Sequence, residues 1–183
     1  MFPFAGEDGL EQVRSAAIVD RDSAELLLDA ARPIVLLEKR APFPLSTLLA
    51  PELNEVGGFL PYSPLHVLLV NDFGSALVAT SANLSGEPVL TDNHEAETRL
   101  APVADAFLHH NRPIVRPADD SVYRTIARRP RPLRLGRGTA PFELDLPFTK
   151  SAATAQRIAK IELEKMRQQI SVDWPGKFTA YRL

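Results

Sequence analysis

A run of four apolar residues, Ile34-Val35-Leu36-Leu37, is fenced by Pro33 on one side and by Pro42 and Pro44 on the other. It is too short for a core helix and too apolar for a surface strand, so it reads as a strand buried inside a sheet. The rest of the chain is arranged around it. Residues 7–17 and 21–31 have the apolar spacing of helices, the second with Asp20 or Asp22 placed to cap it and Arg32-Pro33 to end it. VGGFLPY supplies a short extended piece, and SPLHVLLVND reads as a helix with Ser63 at the N-cap and Pro64 at the first helical position. ALVATS, residues 76–81, is expected to form a third apolar strand. DNHEAETRLA is expected to form a short helix capped by Asp92 or Asn93, and Phe107, Ile114-Val115, Val122 to Ile126 and Leu133 to Leu135 to fall in later strands. Helices and strands alternate first and strands follow strands later, which predicts an α/β fold on a mixed sheet whose later half is largely antiparallel.

After Phe148 the pattern changes. Residues 151–170 hold neither Gly nor Pro and place Ala159, Leu163, Met166 and Ile170 at helical spacing, so 149–183 is read as a separate tail built on one amphipathic helix. So narrow a stripe supports docking, either on the preceding domain or as a homo-oligomer contact with a second copy, but hardly an independent fold.

The chain has 183 residues and no cysteine, which excludes disulfides, thiol nucleophiles and thiolate zinc sites. No run approaches the ~18 apolar residues of a membrane span, so a cytoplasmic protein is expected. The net charge is -2, but it is unevenly spread. Between Arg112 and Arg137 eight arginines face two acids, Asp119 and Asp120, a local balance of +6 that leaves -8 for the remainder. An anionic ligand would be drawn to that stretch.

Three blocks can carry chemistry. Thr80-Ser81-Ala82-Asn83-Leu84-Ser85-Gly86-Glu87-Pro88 follows an apolar run directly. Its small hydroxyl and amide side chains can donate to phosphate or carbamate oxygens, although the same residues also build plain turns. In Arg112-Pro113-Ile114-Val115-Arg116-Pro117-Ala118-Asp119-Asp120-Ser121 the paired carboxylates of Asp119 and Asp120 can hold Mg2+, or can simply close a turn between strands. In Leu133-Arg134-Leu135-Gly136-Arg137-Gly138 a glycine-flanked arginine can fork onto phosphate. The histidines lack the spacing of metal ligands.

Taken together and in order, ARPIVLLEKR, GGFLPYSPLHVLLV, VATSANLSGEPV, ADAFLHHNRPIVRPADDSVYR and PLRLGRGTAP resemble the YrdC-like domain of HypF-type carbamoyltransferases over residues 1–148. The resemblance implies a twisted mixed sheet with flanking helices and a positively charged concavity, incomplete at the N-terminus. It implies an activity that joins a carbamate or bicarbonate-derived acid to ATP as a mixed anhydride with loss of pyrophosphate. In the family the carbamoyl group then passes to a cysteine of a partner protein in nickel-iron hydrogenase maturation. Carried over residue by residue, Ser81 and Asn83 would contact phosphates and the acyl group, Ser121 is the later hydroxyl and Arg137 the arginine before glycine. Tyr62 and His66 match the segment specific to the HypF type. Ser81 and Asn83 are expected at the carboxyl end of an internal strand, facing a concavity that Ser121 also lines. The family's Gly-rich, Lys-containing segment and its Lys-any-Arg element would lie ahead of Met1, which predicts an impaired nucleotide site. The competing reading is a module that holds a nucleotide or double-stranded RNA without turnover.

Overall fold

In the computed structural model, which describes residues 1–140, the Ile34–Glu38 strand is the second of four in one sheet. In chain order the elements are α1 (Glu11–Ala16), α2 (Arg21–Leu28), β1 (Ile34–Glu38), β2 (Glu55–Gly58), α3 (Pro64–Phe73), α4 (Asn93–Leu100), β3 (Val122–Ile126) and β4 (Arg129–Arg134). The sheet order is β2-β1-β3-β4; β1 is antiparallel to β2 and parallel to β3, and β3 is antiparallel to β4. This is the mixed sheet with an antiparallel later half that the sequence predicts.

The two faces of the sheet differ in what covers them. Val35 and Leu37 point to one face, where Leu10, Val13 and Ala16 of the α1 region and Leu27 of α2 bury them in the main core. Burying side chains of this size contributes about 1.5–3 kcal/mol each. Asp20 caps α2 by accepting from Ser23 N at 2.7 Å, and Ser23 Oγ lies 3.1 Å from Thr125 Oγ1, which ties the helix to β3. On the other face Ile34 packs with Met1, Phe59 and Val70, the last from α3. α3 itself is closed as expected, with Ser63 accepting from His66 N, Pro64 in its first turn and Gly74 at φ 73° ending it.

The alternation of side chains then fixes what lies on the rest of that second face. Leu36 pairs with Arg124, Arg124 with Arg131, Ile126 with Arg129 and Val122 with Arg134. Directly paired residues share a face, so Arg124, Arg129, Arg131 and Arg134 stand together on the side away from α2. Arg124 reaches across β1 to Glu55 of β2, Nη2 to Oε2 at 2.5 Å.

Several expected elements are shorter or absent. The first helix begins at Glu11 because Gly6 and Gly9 adopt φ of 76° and 77° ahead of it, and the second stops at Leu28, where Asp29 turns back to accept from Ala31 N. Segment 76–81 is not a strand: Leu77 exchanges both backbone bonds with Met1, at 2.8 and 2.9 Å, and no other pairing extends it among the described residues. Phe107 and Ile114-Val115 likewise lie outside any strand, exposed and without neighbours to pair with. Conversely, β4 begins at Arg129, before the expected Leu133, despite Pro130 and Pro132. Among the described residues β4 is a sheet edge, where proline is tolerated. Ala127 and Arg128 make its tight turn with φ of 51° and 58°. The expectation of a separate 149–183 tail built on an amphipathic helix lies outside the described residues.

Candidate functional site

The backbone around Arg137 is held by contacts that only glycine permits. A Cβ on Gly136 would stand 2.2 Å from Asp119 O, and one on Gly138, at φ 79°, would stand 2.6 Å from Ala31 Cβ. The two glycines let residues 136–138 press against the strand-entry segment, where Arg137 N donates to Asp119 O at 2.8 Å and Asp120 bridges Arg137 in parallel. Beneath them lies Ser121, fully buried. Its Oγ accepts from Gly136 N at 2.9 Å and sits 2.9 Å from Thr139 Oγ1 and 3.1 Å from Arg137 O. A buried hydroxyl with one donor and this many partners is fully used, so Ser121 serves as a lock on the loop and presents no surface to a ligand. That corrects the expectation that it faces the same hollow as Ser81 and Asn83.

The lock aims one side chain. Arg137 Nε donates to Asp120 Oδ1 at 3.0 Å, Nη2 donates to Arg32 O at 3.3 Å, and the guanidinium carbon lies 3.5 Å above the centre of the Tyr62 ring. Stacked and paired in this way, a guanidinium loses little further freedom when an anion arrives. Tyr62 meets His66 edge to face at 4.5 Å, one helical turn along the start of α3. Burial pushes the Tyr62 phenol above its ordinary pKa, and the Asp120 carboxylate adds to the rise while Arg137 opposes it. His66 is pushed the other way, chiefly by burial, with Arg137 adding to the fall and Asp120 opposing it. The His66 Nδ1 is buried and has no partner among the described residues.

Tyr62, His66, Asp120, Ser121 and Arg137 are therefore brought into one cluster. Asp119 stands at its rim, its carboxylate 3.9 Å from Arg134 Nη1 while its carbonyl supports Arg137. Among the described residues no three His, Asp or Glu side chains converge as a metal site. Asp119 and Asp120 each already face a guanidinium, that of Arg134 and of Arg137 respectively.

Ser81 and Asn83 are not part of the cluster's contacts. Ser81 Oγ donates to Asn83 Oδ1, and Asn83 Nδ2 donates to the carbonyls of Leu84 and Glu87 at 3.0 Å each. The loop is a turn whose Ser81 and Asn83 side chains bond within it, with Glu87 tied to Arg99 of α4, in mostly exposed chain rather than at a strand end. Beside it, residues including Ala82, Leu90, Phe107 and His110 enclose a hollow of about 540 Å3. The sequence reading did not single out Thr139 or Arg32. The spacing Gly136-Arg137-Gly138-Thr139 was the available signal for the first, and nothing local marks Arg32, which reaches Arg137 only through the fold.

Residues 8–136 match the Sua5/YciO/YrdC family, described as telomere recombination. The chain is 50% identical over 123 residues to Carbamoyltransferase HypF of Synechocystis sp., an alignment covering 67% of this chain and 16% of that protein. A crystal structure of full-length HypF in the phosphate- and nucleotide-bound form superposes with a TM-score of 0.69 at 42% identity, over 76% of this chain and 18% of that one. E. coli YciO shares the fold, with a TM-score of 0.59 at 22% identity over 78% of this chain and 69% of its own. The chain thus spans less than a fifth of the HypF proteins it matches.

Proposed function

The chain belongs to the Sua5/YciO/YrdC family as the counterpart of the YrdC-like domain of HypF carbamoyltransferases, and from this we propose that it binds ATP and takes part in forming carbamoyl-adenylate. One observation carries the reading. Arg137 is stacked on Tyr62 and tied to Asp120, so a cationic fork is oriented before any ligand is bound. That a full-length HypF 42% identical over the matched part has been crystallised in a phosphate- and nucleotide-bound form supports a nucleotide as a ligand of this family.

In the proposed reaction a carbamate oxygen attacks the α-phosphorus of ATP. A new oxygen–phosphorus bond forms, the bond to the bridging oxygen of the β-phosphate breaks, and pyrophosphate leaves. Arg137 stabilises the negative charge that grows on the phosphate oxygens, with Arg134 beside it. Ser121 positions that arginine through the backbone. Ser81 and Asn83 contact the phosphates and the acyl group once their mutual bond opens. Mg2+ would accompany the triphosphate, shielding its charge, with Asp119 and Asp120 as the nearest carboxylates. The carbamoyl group would then pass to a cysteine thiol of a hydrogenase-maturation partner in the cytoplasm, the carbon–sulfur bond replacing the carbon–oxygen bond to the phosphate as AMP and the thiol proton leave.

A second reading rests on the row of Arg124, Arg129, Arg131 and Arg134 on the open face. Phosphates of double-stranded RNA could lie along it without turnover, since such duplexes are held by shape and backbone contacts. Salt separates the two readings: each phosphate engaged adds a slope of about -0.9 to log K against log salt for a duplex. Calorimetry with ATP, with and without Mg2+, tests the first. Heat of binding that needs Mg2+ and weakens at least about tenfold in Arg137→Ala is expected, the loss of one charge-assisted contact. No heat from the unaltered chain would remove the nucleotide reading.

A further inference from the structure

Three separate contacts meet at Glu87, in the loop that begins at Ser81. Its backbone N–H donates to Leu84 O at 3.0 Å, its carbonyl accepts from Asn83 Nδ2 at 3.0 Å, and its carboxylate meets the Arg99 guanidinium of α4. Asn83 Nδ2 donates to the carbonyls of both Leu84 and Glu87, which uses its two hydrogens and leaves the amide oxygen to accept from Ser81 Oγ. A line of contacts therefore runs from Arg99 through Glu87 and Asn83 to the Ser81 hydroxyl. The neck of the loop is closed separately, by Leu90 N donating to Ala82 O at 3.0 Å.

Arg99 is itself held in place on α4. It stands in the last turn, where a cation suits the helix C-terminus, and Glu95, four residues earlier, accepts from its Nη1 at 3.1 Å. Asp92 caps the same helix by accepting from Glu95 N at 2.8 Å, and Leu100 at its end is buried. The helix has a second tie, from Glu97 to His109 at 2.8 Å, in the segment that follows it. Ala82 and Leu90 of the first segment, His109 and His110 of the second, and Ala96 and Leu100 of α4 all border the hollow of about 540 Å3. The helix thus fastens both segments that border the hollow, but only the Arg99 tie leads to Ser81.

We propose that Arg99 is a positioning residue of the nucleotide site, holding Glu87 so that the Asn83 amide and the Ser81 hydroxyl keep one orientation until a ligand opens their mutual bond. This rests on the reading that Ser81 and Asn83 contact the phosphates and the acyl group. The hold acts on direction more than on stability, because the Arg99 and Glu87 side chains are 35% and 36% exposed and an ion pair so placed stabilises a fold little. Without it Glu87 is free to swing towards solvent and Asn83 loses one of its two acceptors. Its amide can then turn over, and only one of the two orientations presents Oδ1 to Ser81.

Nuclear magnetic resonance of the full chain tests this in two arms. Without nucleotide, exchange of the Asn83 side-chain amide protons with water should quicken by about fivefold in Arg99→Gln, the effect of losing one half-exposed ion pair. It should return towards the unaltered rate in Arg99→Lys, and Glu97→Gln, which cuts the helix's other tie, should leave it unchanged. With ATP and Mg2+, Arg99→Gln should weaken binding by a similar factor of about five and Arg99→Lys should recover most of it. Unchanged Asn83 exchange in Arg99→Gln would overturn the proposal. An equal change in Glu97→Gln would also overturn it, because α4 would then be loosening as a whole, and so would undiminished ATP affinity in Arg99→Gln. Failure of the unaltered chain to bind ATP would sink the nucleotide reading itself, and is told apart from failure of the Arg99 hold because the first arm contains no nucleotide.

Discussion

The loop at Arg137 and the loop at Ser81 are both short, polar and glycine-bearing, yet the fold treats them differently. At Arg137 two glycines press the backbone against Asp119 and Ala31, a buried serine locks it, and one arginine is aimed at the surface. At Ser81 the serine and asparagine side chains bond within the loop, whose one side-chain tie outward among the described residues is Glu87 to Arg99 of α4, and a Cβ on Gly86 would meet nothing within 4 Å. The difference shows that polar, glycine-rich composition marks where a site can be built, whereas contacts from distant elements decide whether its side chains are held in advance.

Glycine replacement should separate the two loops most sharply. Gly136→Ala drives a methyl group into a carbonyl, and should destabilise the chain by about 3 kcal/mol in urea unfolding. Gly86→Ala, at φ 80° in open space, should lose only the backbone strain of about 1–2 kcal/mol. Equal losses would show that the Arg137 loop yields as freely as the other.

Serine replacement is the next test. Ser121→Ala leaves the half-buried Gly136 N–H without its acceptor and breaks the buried hydroxyl network, which costs about 1–3 kcal/mol, whereas Ser81→Ala should change stability by less than about 0.5 kcal/mol. Thermal unfolding of the two variants side by side decides it. Comparable shifts in Tm would contradict the claim that only one of the loops is locked.

The smallest effect concerns pH. Burial holds the His66 pKa below its ordinary 6.5, so the unfolded chain takes up a proton that the folded chain resists. Its contribution is therefore fully present above pH 6.5 and lost as pH falls through that value towards the folded pKa. Comparing unfolding at several pH values with His66→Gln isolates it: the variant should lose part of the decline, and an identical decline would place its cause elsewhere.

Much of this was legible in the sequence where the signal is local. Ser63, Pro64 and Gly74 bracket α3, Asp92 caps α4, and Ile34 to Leu37 forms the inner strand, because caps and apolar runs act through near neighbours. ALVATS failed as a strand because strand formation needs a partner, and only Leu77 has one among the described residues. β4 was hidden by Pro130 and Pro132, whose exclusion from central strands does not extend to an edge. At the site, residue types pointed to Arg137 and Asp120 as binding groups. That Tyr62 stacks on Arg137 depends on α3 and the sheet meeting across 75 positions of chain, which no spacing rule encodes.

The central claim is that phosphate is received at the Tyr62–Asp120–Arg137 cluster, and nuclear magnetic resonance of the labelled chain during an ATP titration with Mg2+ tests it most directly. The Arg137 Nε–H signal and the Tyr62 ring should shift first and saturate together, with Ser81 and Asn83 moving at the same ligand concentrations or later. Shifts confined to the Ser81–Glu87 loop, with Arg137 unchanged at saturation, would contradict the account.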